Sequence, residues 1–152
     1  ISNKNQLPIL MNILLQAKQD ELILSSTDLE IGIQTTIKTP ISEPGEVTIP
    51  ARIFTELVNS LSGEIILETK ETQLLVNSKK SKSKLSTIPA TEFPRLYEQK
   101  GTLLASVQQA DLKQELGSVI FSASYDTARP ALSGVLVQQE AQGFLLVATD
   151  GY

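Results

Sequence analysis

The chain has 152 residues, 41% of them hydrophobic and 20% charged, a balance that suits a folded globular protein and argues against disorder. It contains no cysteine and no histidine, which excludes disulfides, thiolate metal sites and the commonest general base and metal ligand. The formal net charge of −4 argues against tight, sequence-independent grip on nucleic acid, and no apolar run is long enough to cross a bilayer as a helix.

The opening residues Ile1 to Gln6 are polar and show no secretory pattern, so a cytoplasmic location is expected. Apolar residues then predict a strand over 9–17 and another over 21–26, joined by a turn at Lys18-Gln19-Asp20. Further strands are expected at 31–37, 65–68, 74–78 and 83–87, with turns at Pro40, Pro44-Gly45 and Lys70-Glu71-Thr72. Between them, Ile53, Phe54, Leu57, Val58 and Leu61 recur at helical spacing and predict a helix over 49–61. Thr48 is placed to cap it, Pro50 falls in its first turn and Gly63 follows its end. The stretch 88–101 holds Pro89, Pro94 and Gly101 without periodicity and reads as a linker. A second helix is expected over 107–124, with Leu112, Leu116, Val119, Ile120 and Ala123 on one stripe and Ser106 with Gln109 as a capping box. Two last strands are expected at 132–138 and 144–148.

The two strand pairs are copies of each other. Laid over 129–152 without gaps, at a shift of 122, residues 7–30 give seven identities in twenty-four positions: Pro8/Pro130, Leu10/Leu132, Leu14/Leu136, Gln16/Gln138, Leu24/Leu146, Thr27/Thr149 and Asp28/Asp150. Ile13/Val135, Leu15/Val137, Leu22/Phe144 and Ile23/Leu145 keep their apolar character. Short apolar strands resemble one another by chance. The shared Pro-x-Leu entry and Thr-Asp exit favour duplication. The second copy begins near Thr102, with a strand and the second helix ahead of its Pro-x-Leu. The first copy is then expected to have lost about twenty residues before Ile1, and the second to be cut at Tyr152.

Six segments, in order, resemble the bacterial DNA sliding clamp, the beta subunit of the replicative DNA polymerase III. They are Asn5-Gln6-Leu7-Pro8-Ile9-Leu10-Met11-Asn12-Ile13-Leu14, Thr27-Asp28-Leu29-Glu30-Ile31 and Ile49-Pro50-Ala51-Arg52-Ile53-Phe54. Then come Leu85-Ser86-Thr87-Ile88-Pro89-Ala90-Thr91-Glu92-Phe93-Pro94, Arg129-Pro130-Ala131-Leu132-Ser133-Gly134-Val135-Leu136 and Val147-Ala148-Thr149-Asp150-Gly151-Tyr152. The resemblance implies an α+β DNA-clamp fold, with repeated units of antiparallel sheet outside and helices lining a central hole. It implies a first clamp domain over 1–94 lacking its N-terminal strand and helix, a linker over 95–101 and the first part of a second domain over 102–152. The function implied is a processivity factor: two head-to-tail protomers form a ring around duplex DNA and hold the polymerase and clamp-loader subunits through short peptide motifs. No cofactor, metal or membrane is implied.

Residue roles follow the same resemblance. Lys4, Arg52 and Lys113 are the candidates for backbone contact with DNA, although each is also an ordinary solvated position and Asp111 and Glu115 share the helix of Lys113. Leu132, Thr149, Gly151 and Tyr152 are the candidates for a peptide pocket, against the plainer reading of Leu132 as core and Tyr152 as a frayed end. Lys82, Ser83 and Leu85 are the candidates for a protomer interface. The dense run Lys79, Lys80, Lys82 and Lys84 is equally what blunts an exposed sheet edge, and relatives often carry an aromatic residue at the place of Ser83. Two other readings stand beside the clamp. One is a β-rich interaction module without a DNA role. The other is an enzyme using Asp28, Glu30, Asp126 or Asp150. No phosphate-cradling loop or metal-ligand cluster accompanies those carboxylates, and Asp28 and Asp150 are explained as equivalent turn residues, so the chain is not read as an enzyme.

Overall fold

A computed structural model describes residues 7–96, 101–126, 128–141 and 143–152. The chain forms two compact units, Ile1–Gln99 and Lys100–Tyr152. Among the described residues, no helix is long and apolar enough to cross a membrane.

Unit one opens with a 3-10 turn, Pro8–Met11, where the fixed φ of Pro8 suits the first helical position. Strands β1 (Asn12–Lys18), β2 (Glu21–Thr27), β3 (Gly32–Lys38) and β4 (Gly45–Pro50) follow. They make one antiparallel sheet in the order β3-β2-β1-β4. Helix α1 (Ala51–Ser60) leads to a second sheet of β5 (Ile65–Lys70), β6 (Gln73–Ser78) and β7 (Lys82–Ser86), in that order. Leu15 and Ile49 from the first sheet, Phe54 from α1, and Leu74, Val76 and Leu85 from the second sheet form the main core. Because side chains alternate along a strand, Ile13 and Leu15 share that inward face with their cross-strand partners Ile49, Val47 and Leu24.

The opposite face of the first sheet is polar and paired. Gln16 and Glu46 sit opposite each other and are joined at 2.8 Å, and Ser25 accepts from its partner Gln34 at 3.2 Å. A smaller cluster of Ile9, Leu10 and Phe93, with Leu14 and Ile88, closes one end of this face. There the Asn12 amide donates to the Thr48 hydroxyl at 3.0 Å, and that hydroxyl donates to the Ile88 carbonyl at 2.8 Å. Backbone bonds in both directions between Thr48 and Ile88 join the segment after β7 to β4.

Unit two holds α2 (Gln109–Val119), continued as a 3-10 turn over Ile120–Ser122, a second 3-10 turn (Pro130–Leu132) and a hairpin of β8 (Leu136–Glu140) and β9 (Gly143–Val147). α2 packs on β9, where Phe144 and Leu146 are half-buried. Large apolar side chains such as Leu103, Phe121, Leu136 and Leu145 stay exposed, as expected for a single hairpin under one helix.

The duplication is present in three dimensions. Every β8–β9 pair, from Leu136↔Val147 to Glu140↔Gly143, repeats a β1–β2 pair, from Leu14↔Ser25 to Lys18↔Glu21, at the same shift. The Leu10 amide donates to the Leu7 carbonyl as the Leu132 amide donates to that of Arg129, both at 3.0 Å.

Several expectations need correction. Thr48 caps nothing: it is a wholly buried residue of β4, a strand not anticipated, and Pro50 occupies the N-cap position. Ile53 faces outward, 54% exposed, while Phe54, Leu57 and Val58 carry the inner stripe of α1. Gln108 caps α2 without a side-chain bond, so Ser106 and Gln109 make no capping box. Residues 101–108 form no strand, since a strand needs a hydrogen-bonding neighbour and the only sheet described in unit two is the β8–β9 hairpin.

Candidate functional site

The corner that the two copies share is a Thr-Asp turn that follows the hairpin. In unit one the Thr27 hydroxyl accepts the Leu29 amide at 3.0 Å and donates to the Ile31 carbonyl at 2.9 Å. The Asp28 carboxylate accepts the amides of Glu30 and Ile31 at 3.0 and 2.7 Å. In unit two, Thr149 accepts the Gly151 amide at 3.0 Å and Asp150 accepts that of Tyr152 at 3.1 Å. Both turns place their third residue in the left-handed region, Leu29 at φ 75° and Gly151 at φ 95°. Only the second uses glycine, for which that conformation carries no steric cost.

Gly151 also lies close to two side chains of the Pro130 turn. A β-carbon there would stand 3.4 Å from both Nη1 of Arg129 and Cδ1 of Leu132. The turn backbone therefore lies directly against Leu132, and the structure brings Leu132, Thr149 and Gly151 of the expected pocket together. Leu132 is half-buried; Tyr152 is fully exposed and contributes only its backbone amide. Arg129 belongs to this corner and was not among the residues singled out. Its signal was available, because it directly precedes Pro130 and stands where the first copy has Leu7.

The basic candidates are dispersed. Arg52 lies in the first turn of α1 and pairs with Glu56 one turn on at 2.9 Å, the two side chains being 90% and 66% exposed. Such a pair is held weakly, so the guanidinium remains available to an anion. Lys113 is exposed on α2 between Asp111 and Glu115. Lys4 lies outside the described residues. On β7, an edge strand of its sheet, Lys82 and Lys84 point outward and Ser83 is half-buried. Leu85 is committed to the core beside Leu74 and Val76, so it offers a neighbour its backbone edge and not its side chain.

The carboxylates have structural occupations. Asp28 and Asp150 hold their turns; Asp126 accepts the Ala128 amide at 2.9 Å and pairs with Arg129 at 3.3 Å. Backbone hydrogen bonds from Ile31 and Glu30 hold the Asp28 carboxyl below its ordinary 3.8, the opposite direction from what a general acid needs. A carboxyl depressed on folding stabilises above its unfolded value and loses that contribution as the pH falls through the folded one. In Asp28→Asn, which keeps the turn acceptor without the charge, the deficit against wild type should therefore shrink as denaturation midpoints are followed from neutral pH to below 3.8. A deficit constant with pH would refute the assignment. Among the described residues, no three acidic side chains gather as a metal site would require.

The chain is similar to known proteins in both sequence and fold. The sequence model of the DNA polymerase III beta subunit N-terminal domain matches residues 1–97. Over the whole chain it is 32% identical to the beta sliding clamp of Pseudomonas aeruginosa and 34% identical to that of Escherichia coli K12, and it spans 42% of the length of each. The crystal structure of the DNA polymerase III subunit beta from Pseudomonas aeruginosa superposes with a TM-score of 0.88 at 34% identity, over 97% of this chain and 41% of that one. The beta subunit from DNA polymerase of Streptococcus pyogenes gives 0.88 at 30% identity, over 99% of this chain and 42% of that one.

Proposed function

Because the chain belongs to the DNA polymerase III beta subunit family, we propose that it forms part of a ring that encircles duplex DNA in the cytoplasm and tethers the replicative polymerase. The work of such a ring is topological and involves no bond chemistry. The observation that carries the reading is whole-chain likeness to sliding clamps in sequence and in fold, joined to an internal repeat that keeps its strand register. A net charge of −4 suits this role, since a ring that slides gains nothing from gripping phosphates hard.

In this reading residues 1–94 belong to the first clamp domain, 95–101 connect, and 102–152 begin the second. Lys4, Arg52 and Lys113 would make transient backbone contacts with DNA in the hole, without reading its sequence. Lys82, Ser83 and the backbone at Leu85 would form the edge that meets a second protomer, closing a homodimeric ring. Leu132, Thr149 and Gly151, with Tyr152 at the rim, would receive an apolar anchor from short peptides of the polymerase and clamp-loader subunits. An interaction module without a DNA role is the second reading, and the likeness to clamps over the whole chain favours the first.

The test uses the complete protein loaded on a nicked DNA circle. It should stay bound through a wash of moderate salt and leave when the circle is cut. Equal, salt-sensitive retention on circular and linear DNA would mean ordinary electrostatic adhesion and would overturn the proposal.

A further inference from the structure

The two copies share the residues that build the corner and differ in those that present it. Pro, Leu, Thr and Asp recur at 8/130, 10/132, 27/149 and 28/150, while Leu7 becomes Arg129, Leu29 becomes Gly151 and Glu30 becomes Tyr152. In unit two a cation thus lies over a residue without a side chain, beside Leu132. That cation is tied down by one loop. The Asp126 carboxylate accepts Nε of Arg129 at 3.3 Å and the Ala128 amide at 2.9 Å, and the Asp126 carbonyl accepts the Arg129 amide at 3.2 Å. The Asp126 amide in turn donates to the Ser124 hydroxyl at 3.0 Å, and the Ser124 amide donates to the Leu132 carbonyl at 2.8 Å. The loop is therefore anchored on the same 3-10 turn that carries Leu132. The charge beside Leu132 is thus already answered from within the chain.

We propose that Asp126 is a positioning residue that fixes Arg129 at the mouth of the peptide pocket and sets its charge preference, so that the site takes apolar peptides without favouring acidic ones. The inference rests on the pocket reading given above. The side chains of Arg129 and Asp126 are 51% and 47% exposed, so a peptide carboxylate can reach the guanidinium but must compete with an internal one. With that internal partner uncharged, Arg129 becomes a free donor fork suited to a carboxylate.

The experiment titrates the complete protein with two labelled peptides that share their apolar anchors and differ in one residue, Asp or Asn, beside the anchor. Wild type should bind both with similar Kd. Asp126→Asn should shift the Kd ratio toward the Asp peptide by about threefold to fivefold, the scale of a half-exposed ion pair. Asp126→Glu should restore the wild-type ratio, and adding Arg129→Gln to Asp126→Asn should abolish the shift. The shift should also fade at high salt. Weakening of both peptides alike by Asp126→Asn, with the ratio unmoved, would mean that Asp126 merely supports the loop and would overturn the proposal while leaving the pocket intact. Failure of wild type to bind either peptide would overturn the pocket reading itself, and this inference with it.

Discussion

Replacing Ile49 with alanine should destabilise unit one by about 2–5 kcal/mol, the range for truncating a large aliphatic side chain in a packed core. Ile49 is wholly buried, and it lies where β4 meets the cluster contributed by both sheets and α1. Its strand is pinned on one side by β1, through the Ile13↔Ile49 pair, and at its neighbour Thr48 by the bridge to Ile88. The backbone therefore has little freedom to collapse into the space left by the lost atoms, which places the cost toward the upper part of that range. Chemical denaturation of the wild type and variant measures it as a lower midpoint at unchanged slope. An Ile49→Ala loss below about 1 kcal/mol would show that the site relaxes and that the core is not organised around this residue.

Thr48→Val should cost about 1–3 kcal/mol although it preserves shape, because the lost hydroxyl is both donor and acceptor. The Asn12 amide would be left buried without its partner; Ile88 would keep only the backbone half of its attachment. A double-mutant cycle distinguishes this from a packing defect. If the cost lies in the stranded amide, Asn12→Leu in the Thr48→Val background should recover part of the stability, since removing both members of a buried polar pair is far less costly than removing one. Additive losses in the cycle would sink the assignment of a coupled pair.

Most of the first sheet was legible because β1 and β2 carry short, continuous apolar runs joined by a tight turn, and their edges fall within a few residues of expectation. β4 was not. Pro44-Gly45 and Pro50 bracket it with turn and helix signals, and Thr48 has the chemistry of a helix cap. What makes Thr48 a strand residue is the pairing of β4 with β1, which sets it opposite Leu14, a long-range contact that local propensity does not register. Ile53 fails for a related reason: helical spacing defines a stripe but not its width, and the sheets cover only the part containing Phe54, Leu57 and Val58.

The corner of unit two was legible through the resemblance to sliding clamps, which pointed to Leu132, Thr149 and Gly151 before any geometry was known, while the repeat marked Leu132 and Thr149 as shared with the first copy. Arg129 stood within the Arg-Pro-x-Leu segment but was given no role, because a single basic residue ahead of a proline carries no local signal of what it will lie against. In a duplicated corner the identities mark the scaffold, and the differences mark what one copy presents that the other does not. Leu29 makes the same point from the other side. It tolerates the left-handed conformation that Gly151 adopts freely, with Thr27 and Asp28 hydrogen-bonding the backbone around it.

The bridge between Thr48 and Ile88 bears on how mechanical load enters the molecule. Tension entering unit one from the chain beyond Phe93 meets that side chain, 4% exposed, and then the paired backbone at Ile88 before it reaches β7. Force is thereby delivered to β4, whose neighbour β1 lies inside the sheet, and the exposed strand at the end of the second sheet is spared from being peeled away.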